Sequence, residues 1–365
     1  MRLNVWFAYL VLYFVMIQSA NSQVLLPVRV GDKMGYIDES GKIVVEPKFD
    51  YAGDFSDGLA PVAQEVGNRR IFGYINSKGE IVIPMQFEDA KEFSEGLATV
   101  RINGKYGYID TSGKVVVEPV FWKAWSFSEG RGRVLQIVEE KGNFLYGFVD
   151  KEGRVVIKPQ YLFARDFREG LAAVLVEVGE DFRMGFIDKE GRMVIRPKFG
   201  IARDFSEGLA VVIQNVEPYL FEEDVLGSEK ECKKMKWAYI NKKGKVVIKG
   251  NFQNASDFSE GVAVVRINNK ICLIDGSGKV VVTMDFPQTA VVGNFFRGVG
   301  IAPLHHMGGL KFIDKTGKIV IQTDFDWVVK IVNGYFRVWR LTKDKKSAVF
   351  GYIDRDGNVI WDPEK

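Results

Sequence analysis

Apolar and polar residues alternate in short stretches along most of the chain. In the stretch from Gly96 to Ile102, which reads GLATVRI, apolar side chains occupy every second position after the glycine, and Thr99 and Arg101 lie between them. This period of two is typical of a half-buried β-strand. A turn of sequence Asn-Gly-Lys, a second apolar stretch, a second turn and a third stretch follow, and the last one closes with Pro119. The pattern predicts a three-stranded β-meander in which the proline, having no N–H, ends the third strand.

This meander belongs to an internal repeat. The string GYIDTSGKVVVEP, which begins at Gly107, recurs in recognisable form along the chain. The other copies begin at Gly35, Gly73, Gly147, Gly185, Ala238, Cys272, Lys311 and Gly351, and those from Ala238 to Lys311 are the weakest. Successive copies lie 34 to 53 residues apart, so that nine units account for nearly the whole chain. Units of this size predict a repeat array, and they leave no room for a separate catalytic domain.

Two recurring features of the repeat are explained by backbone geometry and packing. In the turn Asp-x-x-Gly, Asp110 can accept hydrogen bonds from turn amides, and Gly113 can adopt the positive φ that such a turn requires. The glycine that opens each copy lies in mid-strand, where a missing side chain normally weakens a strand. Its recurrence at Gly107 and Gly147 therefore predicts close approach of an aromatic ring or of another backbone segment.

A second block recurs between the meanders. In QFEDAKEFSEGLATV, Phe87 and Phe93 lie six residues apart on either side of Ala90, and a Ser-Glu-Gly turn follows. Phenyl groups bury large apolar areas, so we expect these pairs to hold neighbouring units together.

The order of the two blocks resembles the WG repeat family, which is named for the Trp-Gly that opens its motif. The resemblance covers residues 23–365, although the residue before the opening glycine is here an apolar or aromatic one other than Trp in all units except that of Trp237. It implies an all-β tandem array of the kind found in bacterial, often exported proteins, with no established common enzymatic activity.

The array can be an open stack or a closed ring. Propellers often close by completing one blade with strands from both ends of the chain. Here the chain starts with a complete strand (24–30) and finishes with a complete strand (359–362), so no strand is left to share. We therefore expect an open, curved, solenoid-like stack of about nine three-stranded meanders rather than a closed propeller-like ring. Its expected divisions are regular repeats over 23–215, a charged insertion over 216–236 and divergent repeats over 237–365.

The first 22 residues differ in composition from the rest. Arg2 precedes an apolar run from Val5 to Ile17, and Ala20 and Ser22 occupy the positions of a small-x-small cleavage site. This pattern predicts a signal peptide cut before Gln23, and the alternative is an uncleaved amino-terminal anchor. The mature chain is then expected outside the cytoplasm, whether periplasmic, secreted or on the cell surface.

Composition argues against several kinds of chemistry. The 365 residues include 50 Lys and Arg and 47 Asp and Glu. The resulting net charge of +3 gives no reason to expect a nucleic-acid-binding surface. His305 and His306 are adjacent but lack further ligands for a tetrahedral metal site. Cys232 and Cys272 either pair in an oxidising compartment or remain thiols. We therefore predict no catalytic residue, cofactor or metal.

Four tryptophans depart from the repeat. Trp122, Trp125, Trp327 and Trp339 stand where other units carry small or charged residues. Such aromatic residues either form a partner-binding surface or fill the core, and the charged insertion at 216–236 is either a plain loop or a binding projection. We expect an exported, non-enzymatic scaffold that binds a protein or peptide. The alternative is a carbohydrate or cell-wall binder that stacks sugars on Trp122 and Trp125.

Overall fold

The structure, a computed structural model, describes residues 24–138, 142–214, 237–284, 286, 295–303, 309–342, 348–362 and 364. Nine antiparallel sheets follow one another along this part of the chain, the first with three strands and the others with four. They are arranged as a closed nine-bladed β-propeller. No helix in the described residues is long and apolar enough to cross a membrane.

Each sheet is one blade, and its strands follow in chain order. Blade 1 contains β1 (Leu26–Val30), β2 (Lys33–Ile37) and β3 (Ile43–Phe49). Blade 2 contains β4 (Tyr51–Ala52), β5 (Ala60–Val66), β6 (Arg69–Ile75) and β7 (Ile81–Phe87), and blade 3 contains β8 (Asp89–Ala90), β9 (Leu97–Ile102), β10 (Lys105–Asp110) and β11 (Val115–Phe121). Blade 4 contains β12 (Lys123–Ser128), β13 (Arg131–Val138), β14 (Asn143–Val149) and β15 (Val155–Tyr161), and blade 5 contains β16 (Phe163–Ala164), β17 (Ala172–Val178), β18 (Asp181–Ile187) and β19 (Met193–Phe199).

The remaining blades keep the same order. Blade 6 contains β20 (Ile201–Ser206), β21 (Leu209–Ile213), β22 (Trp237–Asn241) and β23 (Val246–Lys249), and blade 7 contains β24 (Phe252–Ala255), β25 (Val262–Ile267), β26 (Lys270–Asp275) and β27 (Val280–Met284). Blade 8 contains β28 (Phe295–Phe296), β29 (Val299–Pro303), β30 (Leu310–Ile313) and β31 (Ile319–Gln322), and blade 9 contains β32 (Trp327–Val332), β33 (Tyr335–Leu341), β34 (Ala348–Ile353) and β35 (Val359–Trp361). The insertion at 216–236 lies outside the described residues and separates β21 from β22 within blade 6.

The expected three strands per unit become four in blades 2 to 9. The additional first strand comes from the aromatic block: β8 pairs with β9 through Asp89–Arg101 and Ala90–Val100. The Ser-Glu-Gly segment forms the predicted turn, with positive φ at both Glu95 (56°) and Gly96 (86°). Two such residues in sequence match the twist of a two-residue hairpin. The predicted Asp-x-x-Gly turn is also present.

The opening glycine and the proline of each regular repeat lie against each other at a β-bulge. Across from Gly107, the register of β10 and β11 shifts, pairing Tyr106 with Phe121 and Tyr108 with Val117. A Cβ on Gly107 would lie 2.8 Å from Pro119 Cα and would also collide with the Val117 carbonyl. The predicted close approach of a backbone segment is therefore confirmed. The expectation that Pro119 ends the strand is wrong: β11 continues to Phe121, because the bulge needs no N–H from the proline.

Neighbouring blades are joined by aromatic packing and one recurring hydrogen bond. The Tyr108 hydroxyl, on the third strand of blade 3, donates to the Trp125 carbonyl in blade 4 at 2.7 Å. The Tyr108 and Phe127 rings meet edge to face at 4.9 Å. Equivalent tyrosine hydroxyl bonds to the next blade are made by Tyr36, Tyr74 and Tyr239.

The open stack expected from the sequence is wrong, because blade 9 packs directly against blade 1 and closes the ring. Tyr352 donates to the Pro27 carbonyl at 3.0 Å. Leu26, Val28 and Ile37 of blade 1 form a buried cluster with Val332 and Tyr352 of blade 9. Closure therefore requires no strand shared between the two ends of the chain. It needs only that the last blade packs directly against the first, as this hydrogen bond and this cluster show.

Candidate functional site: an acid–arginine belt on the first strands

The first strands lie closest to the axis of the ring. Serines on or just after them bond to the neighbouring blade: Ser94, after β8, donates to the Phe127 carbonyl in β12 at 2.8 Å, and Ser128, in β12, donates to the Phe167 carbonyl, after β16, at 2.7 Å. The fourth strands, by contrast, carry exposed aliphatic residues such as Val155 and Val156. Because blades converge toward the axis, strands that bond directly to their counterparts form the wall of the central channel.

Charged residues recur on or just after these first strands. The residue before the second phenylalanine of the aromatic block is acidic in five blades, as Asp54, Glu92, Asp166, Asp204 and Asp257. The cations around them are Arg133, Arg165, Arg203, Lys330 and Arg337. We call this set the acid–arginine belt.

The belt is fully paired at blade 4. Arg133 Nε lies 2.8 Å from Asp166 Oδ1, and Arg133 also donates to the Ala164 carbonyl at 2.6 Å. The guanidinium lies over the ring of Trp125 with 4.1 Å to its centroid and 5.7 Å from that of Tyr146. These contacts hold Arg133 in one orientation, so that it positions Asp166 rather than offering a vacant donor.

The belt is incompletely paired across blades 5 to 7. Arg165 approaches Asp204 only to 3.8 Å. Arg165 Nε, Asp204 Oδ1 and Asp257 Oδ1 are all shielded from solvent and have no hydrogen-bond partner among the described residues. Buried polar atoms are normally hydrogen-bonded, so these atoms offer two acceptors and one donor to a ligand.

Burial also changes how the two carboxyl groups titrate. It raises the pKa of Asp204; Arg165 opposes that rise, and the negative charges of Asp166 and Asp257 add to it. Burial likewise raises the pKa of Asp257, against the opposing charges of Arg203 and Arg165. Both carboxylates are therefore undercompensated, and a cationic group placed between them would gain from their charge.

Sequence reasoning missed the belt. Its signal was the acidic residue that precedes the second phenylalanine in most aromatic blocks, as in Asp166-Phe167 and Asp204-Phe205. Asp and Glu also recur in the turns, where they have a structural explanation. The acids before the second phenylalanine were therefore not distinguished from the acids of the turns. The sequence pattern alone places neither acid beside an arginine of the neighbouring blade.

The four tryptophans predicted from the sequence form two separate pairs. On blade 4, Trp122 is 51% exposed and lies 5.1 Å from the Phe144 ring, whereas Trp125 is half-buried beneath Arg133. On blade 9, Trp327 and Trp339 are cross-strand neighbours on β32 and β33. No single surface therefore collects all four.

The remaining sequence candidates add no metal or redox site in the described part of the chain. His305, His306 and Cys232 lie outside it, as does any pairing of Cys232. Cys272 is buried and free, with its sulfur 3.7 Å from Thr283 Oγ1. No group of three or more metal-ligating side chains occurs among the residues that the structure describes.

Comparison with known proteins identifies a family and a fold. The family model described as "WG containing repeat" matches more than half of the chain, at residues 34–65, 72–106, 106–136, 146–177, 184–215, 237–270 and 312–338. A crystal structure of the eukaryotic initiation factor is similar over 93% of this chain and 96% of its own, with TM-score 0.56 and 10% identity. Porphyromonas gingivalis dipeptidyl peptidase 4 aligns with 74% of this chain and 52% of its own, with TM-score 0.47 and 12% identity. At 10% identity, the likeness to the initiation factor shows the fold alone. No curated protein matches the sequence.

Proposed function

Since the chain belongs to the WG repeat family, whose blades here close into a propeller, we propose that it is an exported, non-enzymatic scaffold that binds a protein or peptide partner. The observation that carries this proposal is the incompletely paired part of the belt, at Arg165, Asp204 and Asp257. These residues lie on or just after the first strands of blades 5 to 7, beside the central channel, and a concave place lined by a few polar groups is the usual form of a binding site.

The chemistry of the belt favours a peptide with a cationic side chain. A Lys or Arg of the partner would donate to Asp204 and Asp257, and a carbonyl oxygen of its backbone would accept from Arg165 Nε. One residue of an extended or looped segment supplies both kinds of group. Such a site would hold a charged segment through ion pairs and hydrogen bonds, as a binding scaffold does.

A displayed peptide library tests this proposal. We expect the full chain to select peptides that contain Lys or Arg, and the double variant Asp204→Asn with Asp257→Asn to bind them at least tenfold more weakly. The matched control is Asp181→Asn, an exposed carboxylate paired only locally with Arg183. Failure to select any peptide, or equal binding by the double variant and the control, would refute the proposal.

Trp122 favours a second candidate function, carbohydrate binding. It is 51% exposed beside the Phe144 ring, and a sugar ring can stack on the exposed part of its surface, although Lys105 Nζ lies over one face at 5.2 Å from the ring centroid. Trp125 offers less, because Arg133 already covers it. Retention on a glycan array that is abolished by Trp122→Ala and kept by Trp125→Ala would favour this alternative.

A further inference from the structure

An exposed position recurs on the outer strand of each blade, which is the last strand of its sheet. It directly follows the inward-facing aliphatic residue: on β11, Val117 is buried and Glu118 is exposed, and on β15, Ile157 is buried and Lys158 is exposed. We call it the rim position. From blade 1 to blade 8 it is occupied in order by Glu46, Pro84, Glu118, Lys158, Arg196, Lys249, Thr283 and Gln322, all of them exposed.

The charges at the rim position are segregated around the ring. The acids lie on blades 1 and 3 and the bases on blades 4 to 6, whereas blades 2, 7 and 8 carry uncharged residues there. In blade 9 the rim position is Asp362, whose side chain is 2% exposed and paired with Arg340. The sign therefore reverses between adjacent blades at the seam where Glu118 of blade 3 is followed by Lys158 of blade 4.

The two outer strands at this seam are close neighbours, yet neither rim charge is neutralised. A Cβ on Gly153, in the turn before β15, would lie 2.8 Å from the Val116 carbonyl oxygen on β11. Within the part of the chain that the structure describes, Glu118 and Lys158 form no ion pair with each other or with any other residue. Both side chains are exposed at the rim of the ring, where a second molecule can reach them.

Symmetry decides which residues meet if that molecule is a second copy of the chain. All outer strands run in the same direction along the ring axis, because every blade keeps the same strand order. A twofold axis parallel to the ring axis and just outside the seam keeps each residue at its height along the ring axis, and it places blade 3 of one copy against blade 4 of the other. Glu118 then faces Lys158 of the second copy, and the symmetry repeats this pair.

The residues beside the two charges are compatible with this contact. The exposed pair Val155–Val156 faces the half-buried pair Val115–Val116 at the same height, so apolar side chains flank the ion pairs. Val155 and Val156 are 45% and 37% exposed, and this apolar area would be removed from water.

One pair of like charges also comes together, and it is compensated within the chain. Lys114 faces Arg154, because both follow the glycine of their turn. Arg154 already pairs with Asp150 at 2.6 Å and with Glu152 at 3.0 Å. Lys114 therefore approaches a group of net negative charge, and the contact is not repulsive.

From these observations we propose that two copies of the chain associate rim to rim through blades 3 and 4, as a symmetric dimer held by two ion pairs between Glu118 and Lys158. A second copy satisfies both signs of charge at the seam. An anionic lipid surface would attract Lys158 but would be repelled by Glu118 on the adjacent blade. The ion pairs are exposed and the contact covers two blade edges of each copy, so the dimer is weak and dissociates in salt. It uses no residue of the acid–arginine belt.

Sedimentation equilibrium of the full chain over a concentration series tests the dimer. We expect a monomer–dimer equilibrium whose dissociation constant rises with salt. Glu118→Lys or Lys158→Glu alone places like charges in both pairs and should raise the dissociation constant about tenfold. An equal mixture of these two single variants should form heterodimers, because opposite charges then meet in both pairs. The double variant Glu118→Lys with Lys158→Glu should dimerise as the wild type does, for the same reason.

Lys249→Glu is the matched control, since it reverses the charge at the rim position of blade 6, away from the seam, and should leave the dissociation constant unchanged. Unfolding midpoints establish that all variants remain folded. Single variants that dimerise as the wild type does, or a mixture and a double variant that both fail to restore the dimer, overturn the inference. So does a Lys249→Glu chain that dimerises as weakly as Lys158→Glu.

A chain that stays monomeric throughout the series also overturns the inference. If that monomer floats with vesicles of phosphatidylglycerol, and Lys158→Glu or Lys249→Glu reduces the flotation, the basic rim positions serve an anionic lipid surface instead. Neither result bears on the proposed function, which the belt variants test separately.

Discussion

The hydroxyl of Tyr352, in the last blade, donates a hydrogen bond to the carbonyl oxygen of Pro27, in β1 of blade 1, at 3.0 Å. The two residues lie 325 positions apart in sequence. In blade 3 the equivalent hydroxyl of Tyr108 donates to the carbonyl of Arg133, the counterpart of Pro27, at 3.3 Å and only 25 residues further along the chain. One contact is therefore used both along the chain and across its ends, which is what makes the array a ring.

Replacing Tyr352 by Phe should weaken closure. The variant keeps the ring but leaves the buried Pro27 carbonyl without its donor and Arg337 Nε without its acceptor, which we expect to cost about 2 kcal/mol of unfolding free energy. Urea unfolding measures this loss, and Tyr239→Phe, which removes an equivalent bond between blades 6 and 7, is the control. A Tyr352→Phe chain as stable as the wild type would show that the hydroxyl does not contribute to closure.

Removing blade 9 should destabilise the protein by far more than one blade contributes. A chain that ends at Asp326 exposes Leu26, Val28 and Ile37 at one end of the array, and also the face of blade 8 that packs on blade 9. We expect aggregation or loss of cooperative unfolding, measured by gel filtration and thermal circular dichroism. In an open stack each unit touches only its neighbours, so a monomeric, cooperatively folded product would speak against the ring.

Substituting the mid-strand glycine should destabilise a regular blade. Gly107→Val places side-chain atoms against the Val117 carbonyl and Pro119, and we expect a cost of more than about 2 kcal/mol. The control is Cys272→Val in blade 7, where β26 and β27 pair without a shift at that position. Equal unfolding midpoints for wild type and Gly107→Val would contradict the packing explanation.

The same comparison shows what the sequence could predict. Gly107 and Pro119 occur together, while the weak copies at Ala238, Cys272 and Lys311 lack both the glycine and the proline. The repeat, its turns and the close approach of the backbone at the glycine could therefore all be predicted from the sequence. The bulge was not, because a proline in a strand ordinarily marks an end.

Other features depend on geometry that no period in the sequence encodes. The first strand β8 has only two residues, which is too few for alternation to reveal it. Closure depends on the angle between successive blades, which the sequence pattern does not express. The belt depends on closure and on the short first strands together, so its pairing of Arg165 with Asp204 could not be predicted.

Export is tested by the start of the mature protein. The apolar run from Val5 to Ile17 and the small residues Ala20 and Ser22 lead us to expect that the native chain begins at Gln23. Intact mass and amino-terminal sequencing of the protein from its native host measure this. An intact Met1 recovered from the membrane fraction would instead support an uncleaved anchor.

Asp204→Asn should stabilise the fold at neutral pH. Burial raises the pKa of Asp204, so between its unfolded and folded pKa values the folded chain holds a proton that the unfolded chain has lost. Wild-type stability therefore falls as pH rises through that interval, and the cost persists at higher pH. Asparagine carries no charge and avoids this cost.

The pH dependence of urea midpoints distinguishes this effect from a general gain in packing. We expect the urea midpoint of Asp204→Asn to be higher than that of the wild type at pH 7. Near pH 3 the two midpoints should be equal, because the wild-type carboxyl is then protonated in both the folded and the unfolded state. Asp181→Asn, at an exposed site, should show no such gain. If the variant is more stable but binds cationic peptides less well, Asp204 serves binding at the expense of stability. A variant that is less stable than the wild type at pH 7 would refute the electrostatic explanation.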